Sequence, residues 1–282
     1  MKSKKIVLLF LCTICIVCLI SAFQLHNKPI LIEKAFSNLE IKDIAPIETI
    51  YFEDLGLDNI TCTGLTFDTN DESFWIADYG KSYNNSVNKP RLIEVDRELK
   101  HVIKIIELDK INSNNFNLQG ITYDSYSDNL ALATGEYIYI IDKNSNIIKK
   151  INLGKYKRYL ANGISYDTTN DTIWTLMYSK YLLHYDKNGK LLNKIKFNYK
   201  NQDHIYVKDN TLYASIGADY TGNNNFVLKY DLLQKKATDV YRVENSYAIE
   251  GIYLLNNKLY VVNDGYFHSA KIKKSYINIY NF

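Results

Sequence analysis

A short motif recurs along the chain at a nearly regular interval. Gly64-Leu-Thr-Phe-Asp, Gly120-Ile-Thr-Tyr-Asp and Gly163-Ile-Ser-Tyr-Asp are near copies, and weaker copies start at His204 and Gly251. The common interval of about 43 residues is that of a four-stranded β-propeller blade rather than of a helical repeat. Within each copy the order is strand, polar turn, strand, loop, strand, turn and strand. Five copies therefore predict an all-β, five-bladed β-propeller.

The last copy contains three strands and lacks an outermost one, since the sequence ends at Phe282. The segment from Pro46 to Glu53 alternates like a strand and precedes the first full copy. Pairing it with the last copy would complete that blade and remove an exposed sheet edge. We therefore predict that residues 46–282 form a propeller closed by an N-terminal strand.

The first residues have the pattern of an export segment. Lys2, Lys4 and Lys5 precede the uncharged apolar run from Ile6 to Phe23. A positive end followed by such a run predicts a hydrophobic helix over residues 1–23, acting as a signal peptide or as an uncleaved membrane anchor. Residues 24–45 are then a stalk or linker. The propeller is expected to be extracytoplasmic, either anchored to the membrane by its N-terminus or secreted.

Charge and cysteine content exclude some classes of function. The net charge is +3, from 34 basic and 31 acidic residues, which is too balanced for a nucleic-acid surface. Of four cysteines, Cys12, Cys15 and Cys18 lie in the hydrophobic segment, and only Cys62 belongs to the propeller. No disulfide is expected inside the propeller, and Cys62 is predicted to be a small buried side chain.

Polar residues stand directly before the repeated glycine, or before His204 in its place. Inner strands of a propeller surround its axis, so we expect these residues to form a ring at one mouth of the axial channel. Carboxylate, amide and hydroxyl oxygens suit Ca²⁺, and a buried acid pair is costly without a cation. The alternative is that the ring is only solvated. The ring consists of Thr63 and Gln119, predicted as ligand-binding, and Asn162, Asp203 and Glu250, predicted as metal ligands.

A second set of candidates comes from the ends of the second strands and the loops that follow. Asp78 and Asn263 occupy matching strand ends, and Tyr79 and Tyr266 lie in the adjoining loops. Aromatic side chains there would suit contact with a sugar or a peptide, because they supply area at low entropy cost. We predict that these four residues bind ligand, with chance placement as the alternative in a chain that has 25 tyrosines.

Catalytic motifs of common enzyme classes are absent from the sequence. It contains no Gly-x-Ser-x-Gly elbow, phosphate loop or His-Glu-x-x-His pair. A metal-assisted hydrolase remains, in which the cation polarises a carbonyl and His204 or His268 acts as the base. A structural role for either histidine is the alternative, and whether the chain is an enzyme stays open.

The repeat resembles a known group of propellers. The Gly-Ile-x-Tyr-Asp openings and the stretch from Ile249 to Asp264 are similar to gluconolactonase- and regucalcin-like propellers and to NHL-type repeats. That resemblance implies a divalent cation at the axial mouth, held here by Glu250, Asn162 and Asp203. Members of the group generally have six blades, whereas five are counted in this chain.

Together these features predict a binding propeller that holds a small molecule, a glycan or a protein partner at its mouth, around an axial Ca²⁺ in one version of the hypothesis. The runner-up is a metal-dependent lactonase or esterase. A purely structural interaction module is the third reading.

Overall fold

The computed structural model of the chain describes residues 35–80, 89–111, 117–217, 224–264 and 274–282. Its strands form five separate sheets, and the innermost strands contact one another in a closed cycle. The prediction of an all-β, five-bladed propeller is therefore confirmed. No helix in the described part of the chain is long and apolar enough to cross a membrane.

The described chain begins with two short strands, β1 (Ile41–Ile44) and β2 (Glu48–Tyr51), and a 3₁₀ turn at Phe52–Leu55. Blade one contains β3 (Cys62–Asp68), β4 (Ser73–Asp78), β5 (Arg91–Asp96) and β6 (Val102–Glu107). Blade two contains β7 (Gly120–Asp124), β8 (Asn129–Ala133), β9 (Tyr137–Ile141) and β10 (Ile147–Asn152). Within each of these blades, successive strands pair antiparallel from the axis outwards.

Blade three contains β11 (Ala161–Asp167), β12 (Thr172–Met177), β13 (Tyr181–Asp186) and β14 (Leu191–Lys196). Blade four contains β15 (Gln202–Lys208), β16 (Thr211–Ile216), β17 (Phe226–Asp231) and β18 (Lys236–Val243). Blade five contains β19 (Ile249–Leu255), β20 (Lys258–Asp264) and β21 (Ser275–Asn281), with β2 as its fourth strand. Strand β2 is antiparallel to β21, and the Thr49 hydroxyl donates to Asn278 Oδ1 at 2.7 Å.

The segment just before β2 contacts the propeller, although we expected residues 24–45 to be a stalk. Strand β1 adds to the outer edge of β18 as a parallel strand, and Arg242 pairs with Asp43 at 2.9 Å. Phe36 is buried against the Phe226 and Tyr199 rings. Two physical effects explain this contact. Strand β1 covers what would otherwise be an open sheet edge on β18, and burial of the Phe36 side chain adds hydrophobic stabilisation.

The apolar residues of neighbouring sheets face each other and form the core. Between blades five and one, for example, Phe74, Ile76 and Ile93 pack with Val262 and Ile277. Because each sheet presents one face to the preceding blade and the other to the following blade, its central strands are buried on both sides.

Hydroxyl groups join the inner strands of adjacent blades. The backbone N–H of Tyr123 donates to Thr66 Oγ1 at 3.0 Å, that of Tyr166 to Thr122 Oγ1 at 2.9 Å, and that of Val207 to Ser165 Oγ at 2.8 Å. These acceptors occupy the same position in three successive repeats. They therefore satisfy buried backbone donors that no sheet partner reaches.

Replacing one of these acceptors should destabilise the ring. Thr122→Val keeps the side-chain shape but leaves the Tyr166 N–H buried without a partner, so we expect a loss of about 1–3 kcal/mol in the free energy of unfolding. Urea denaturation measures this loss, with Thr238→Val at an exposed position of strand β18 as the control. Equal midpoints for the two variants would contradict the role given to the hydroxyl.

Candidate functional site

Each of the five inner strands begins at the same end of the ring, which we call the axial mouth. In blades one, three, four and five the pairing of the inner strand shifts register at this end, at residues Thr63, Asn162, Asp203 and Glu250 or next to them. Such β-bulges re-aim a side chain out of the regular alternation. The polar residues predicted from the repeat therefore occupy an irregular position that recurs around the ring.

The structure brings part of the predicted ring into direct contact. Asn162 Nδ2 donates to Asp203 Oδ1 and to the Gln202 carbonyl, both at 3.4 Å. The Thr63 hydroxyl instead donates to the Leu118 carbonyl at 3.0 Å. Gln119 Nε2 donates to Asn117 Oδ1 at 2.8 Å.

Asp203 and Glu250 are both half-buried, and the charge of the Asp203 carboxylate acts on the Glu250 carboxyl group. Burial raises the pKa of Asp203 to about 7, and the Asn162 amide acts in the opposite direction. Burial also raises the pKa of Glu250 well above its usual range, and the charges of Asp203 and Asp264 raise it further. Two carboxyl groups in such surroundings do not both ionise at neutral pH, so the pair retains a proton.

One oxygen of the pair is left without a partner. Asp203 Oδ2 is buried and has no hydrogen-bond partner among the described residues. A buried polar atom without a partner costs free energy, which a ligand carrying a donor or a positive charge would recover. The mouth is therefore suited to a cation, an ammonium group or a hydrogen-bond donor.

His204 replaces the repeat glycine and lies across the axis. A Cβ atom added to Gly64 would lie 3.3 Å from His204 Nε2, and one added to Gly120 would lie 3.3 Å from its Cδ2. The imidazole therefore sits against the inner strands of blades one and two. It is 2% exposed, and the Ile121 backbone is the polar group closest to pairing with its ring, although no hydrogen bond of normal geometry to either ring nitrogen forms among the described residues.

Burial lowers the pKa of His204 to about 4, so the imidazole is neutral at neutral pH. The imidazole fills the space on the axis beneath the polar ring. His268, the other predicted base, lies outside the described residues.

Two residues predicted to bind ligand, Asp78 and Asn263, have hydrogen-bond partners within the protein. Asp78 Oδ1 accepts the backbone N–H groups of Thr61 and Gly80, and its Oδ2 accepts from Arg91 Nε at 2.8 Å. Asn263 is buried; its Oδ1 accepts from the Ser246 hydroxyl, and its Nδ2 donates to the Val261 carbonyl. These contacts hold the backbone turns below the mouth.

Of the two predicted loop tyrosines, one can be located. Tyr79 is half-buried, and its backbone N–H donates to the Thr61 carbonyl at 2.8 Å. Tyr266 lies outside the described residues. Among the residues that are described, no three His, Cys, Asp or Glu side chains are grouped to hold a metal ion.

Sequence reasoning did not identify Ser215 and Asp264 as residues of this site. Ser215 Oγ accepts the His204 backbone N–H and donates to the Glu250 carbonyl, both at 2.8 Å. It therefore links strand β15, which contains Asp203, to strand β19, which contains Glu250. Asp264 is buried and raises the pKa of Glu250. Its position directly after the predicted residue Asn263 was the available signal.

Comparison with known proteins supports the fold. No family model matches the chain, and no curated protein matches it. The chain is similar in structure to the glutaminyl cyclase of Myxococcus xanthus, with a TM-score of 0.60 and 12% identity over 85% of this chain and 97% of that one. It is also similar to the RRP9 WD40 repeats, with a TM-score of 0.50 and 11% identity over 80% and 63% of the two chains. These likenesses show a β-propeller fold.

Proposed function

We propose that the chain is a binding propeller that holds a positively charged group of a small ligand at its axial mouth. The observation that carries the proposal is the Asp203 and Glu250 pair, which retains a proton in the free protein and leaves Asp203 Oδ2 without a partner. A cation that displaces this proton would gain two charged partners in a poorly solvated site. Asn162, whose amide nitrogen faces Asp203 in the free protein, would turn its amide group over to supply an uncharged oxygen.

Two kinds of positive group fit this pair. Ca²⁺ is the inorganic one, with Asn162, Asp203 and Glu250 as its protein ligands and water or a ligand oxygen completing the shell. A protonated amine of a small molecule, a glycan or a protein terminus is the organic one, since an ammonium donates three hydrogen bonds. Thr63 and Gln119 would line the rim around either group.

Melting temperatures distinguish these occupants. We expect a saturating ligand to raise the melting temperature of the wild-type chain by about 5 °C, because binding only to the folded state stabilises it by mass action. Ca²⁺ with and without EDTA tests the metal, and glycinamide tests a primary amine. Glu250→Gln should lose the shift, while Glu98→Gln, an exposed acid of blade one, should keep it. No shift with either probe would reject the proposal.

A second candidate is an acyl-transfer enzyme, favoured by the near-neutral pKa of Asp203 and by the structural likeness to a glutaminyl cyclase. In cyclisation of an N-terminal glutamine, the α-amine forms a C–N bond with the side-chain carbonyl carbon, and ammonia leaves with its electron pair. The amine must lose a proton, and the leaving nitrogen must gain one. A carboxyl group that titrates near neutral pH can perform both transfers.

Hydrolysis of lactones or esters remains the alternative reaction, with a bound metal and His268 as the base, since the lowered pKa of His204 makes it a poor base at neutral pH. One assay compares the reactions: ammonia release from glutaminyl-glycine, and acid release from a panel of lactones and esters with Ca²⁺ present. Turnover lost in Glu250→Gln and kept in Glu98→Gln would make the mouth an active site. Turnover equal in both variants would exclude Glu250 from the reaction.

The proposed location is extracytoplasmic, with residues 1–23 as the anchor or signal. These residues lie outside the described part of the chain. The intact mass of the mature protein and its partition between membrane and medium test this location.

A further inference from the structure

A cavity lies away from the mouth, between blades four and five. It has a volume of about 570 Å³, which is within the range of small-ligand sites. It opens where the inner strands end, at the β15–β16 turn (Lys208, Asp209) and the β19–β20 turn (Asn256, Asn257). The mouth is formed where those strands begin, so the cavity belongs to the opposite end of the ring.

Aromatic rings form one wall of this cavity. Tyr206, Tyr213, Tyr241 and Phe282 all line it. The Phe282 ring packs against Tyr241 at 4.5 Å and against Tyr213 at 5.6 Å between centroids. The Tyr206 ring packs edge-to-face against the Tyr253 ring, with 4.9 Å between the ring centroids. The wall is therefore a supported set of flat faces rather than a set of isolated exposed rings.

The charges at the cavity are mainly positive. Lys208 and Lys229 line it, together with one acid, Asp209. Asp209 accepts from the Thr169 hydroxyl of blade three at 3.0 Å, so one of its two carboxylate oxygens is already engaged within the protein. Asp239, the acid nearest Lys229 at 4.0 Å, is already held by Lys42 at 2.7 Å. The cavity therefore presents two ammonium groups to an anionic ligand, Lys208 and Lys229, of which Lys229 shares Asp239 with Lys42.

We propose that this cavity, which we call the interblade pocket, binds an acidic saccharide. A sugar ring has an apolar C–H face that stacks on an aromatic ring, and a rim of hydroxyl groups. Thr211, Asn256 and Asn257 supply hydrogen-bonding groups to that rim, and the lysines bind its carboxylate. The proposal is independent of the ligand at the mouth.

A peptide fits the interblade pocket less well. Peptides commonly bind by adding a strand to a free sheet edge. Strands β16, β17 and β18, which carry much of the lining, are each hydrogen-bonded on both sides, because β1 covers the outer edge of β18. Recognition there must come from side chains.

Isothermal titration calorimetry of the full chain with trigalacturonate tests the proposal. The protein is kept in a detergent whose headgroup is not a sugar. The neutral methyl ester of the same trisaccharide is the matched ligand. We expect saturable binding of the acid, and binding of the ester at least about tenfold weaker, because a hydrogen bond to a charged group is among the stronger ones. Equal affinities, or no saturable binding of the acid, would overturn the proposal.

Variants locate the binding to the pocket. Lys208→Ala and Phe282→Ala should each weaken binding of the acid by about tenfold, since they remove a charge and a ring face from a partly exposed rim. Lys190→Ala and Tyr126→Ala on blades three and two are exposed controls that should leave it unchanged. Binding unchanged in both pocket variants, or tighter binding of tetraglutamate than of trigalacturonate, would also overturn the assignment.

Discussion

Alanine at position 251 should destabilise the protein by about 3 kcal/mol, because inserting atoms into a packed interior forces the backbone apart. A Cβ atom on Gly251 would lie 2.8 Å from Gly64 Cα and 2.9 Å from the Leu65 nitrogen. Both are backbone atoms of the neighbouring inner strand, which cannot rotate away as a side chain can. The added methyl group would therefore push blade five away from blade one at the point where the ring meets itself.

Gly120→Ala is the matched control for this effect. Its Cβ would lie 3.3 Å from the Asn162 carbonyl oxygen and 3.3 Å from His204 Cδ2, so smaller movements accommodate it. We expect a loss of less than about half that of Gly251→Ala. Urea midpoints followed by the fluorescence of buried Trp75 and Trp174 measure both losses. A wild-type midpoint for Gly251→Ala would show that the inner strands do not approach so closely.

Ring packing of this kind explains why a single side chain occupies the axis. Gly163 also has backbone neighbours, with His204 Cα 2.8 Å from the position of an added Cβ. Four repeats therefore have glycine at the axial position, and His204 fills the space that they leave. A ring of five blades has a narrower axis than larger propellers, which leaves little room for a through channel.

Stability should also fall as the pH rises from 6 to 8, because of Asp203. Its pKa is about 7 in the folded chain and near 4 when unfolded, so the folded state binds more protons between these values. Each rise in pH between about 4 and 7 therefore lowers the free energy of unfolding, and this loss of stability is complete above pH 7. Its full size over this window is at most about 4 kcal/mol, of which about 1.4 kcal/mol falls between pH 6 and 8.

Asp203→Asn isolates this contribution. The buried amide cannot ionise, so the variant should gain stability relative to wild type as the pH rises from 6 to 8. His204 acts in the opposite direction, since its lowered pKa adds stability between about pH 4 and 6.5, and it acts equally in both proteins. Urea midpoints at pH 6 and pH 8 measure the difference, with Asp54→Asn as an exposed control. Parallel curves for wild type and Asp203→Asn would contradict the buried position of this carboxyl.

The blade count could be predicted from the sequence because the constraint at the axis repeats. The close approach of inner strands selects glycine, and the strand after it selects alternating apolar residues, so the motif survives in five copies. The strand expected at Pro46 to Glu53 is present at Glu48–Tyr51, paired with β21. That this pairing is what holds the ring closed stays a prediction. Loss of cooperative unfolding after Thr49→Pro would support it.

Other features have no local signal. Strand β1 has four residues and gains its structure from the edge of β18, nearly 200 residues away in the sequence, so its own pattern could not place it. Asp78 was predicted to bind ligand because its position repeats. Its ion pair with Arg91 could not be predicted in the same way, because Arg91 follows an insertion in blade one. The pKa of Asp203 depends on burial by several blades, which no single repeat encodes.

A carboxyl titration followed by ¹³C NMR tests the proton-retaining pair at the mouth most directly. We predict one aspartate signal with a midpoint close to 7, absent from Asp203→Asn and shifted to lower pH when glycinamide or Ca²⁺ saturates the protein. A spectrum in which every aspartate of the wild-type chain titrates below about pH 5 would contradict it, since that is the range of solvated carboxyl groups.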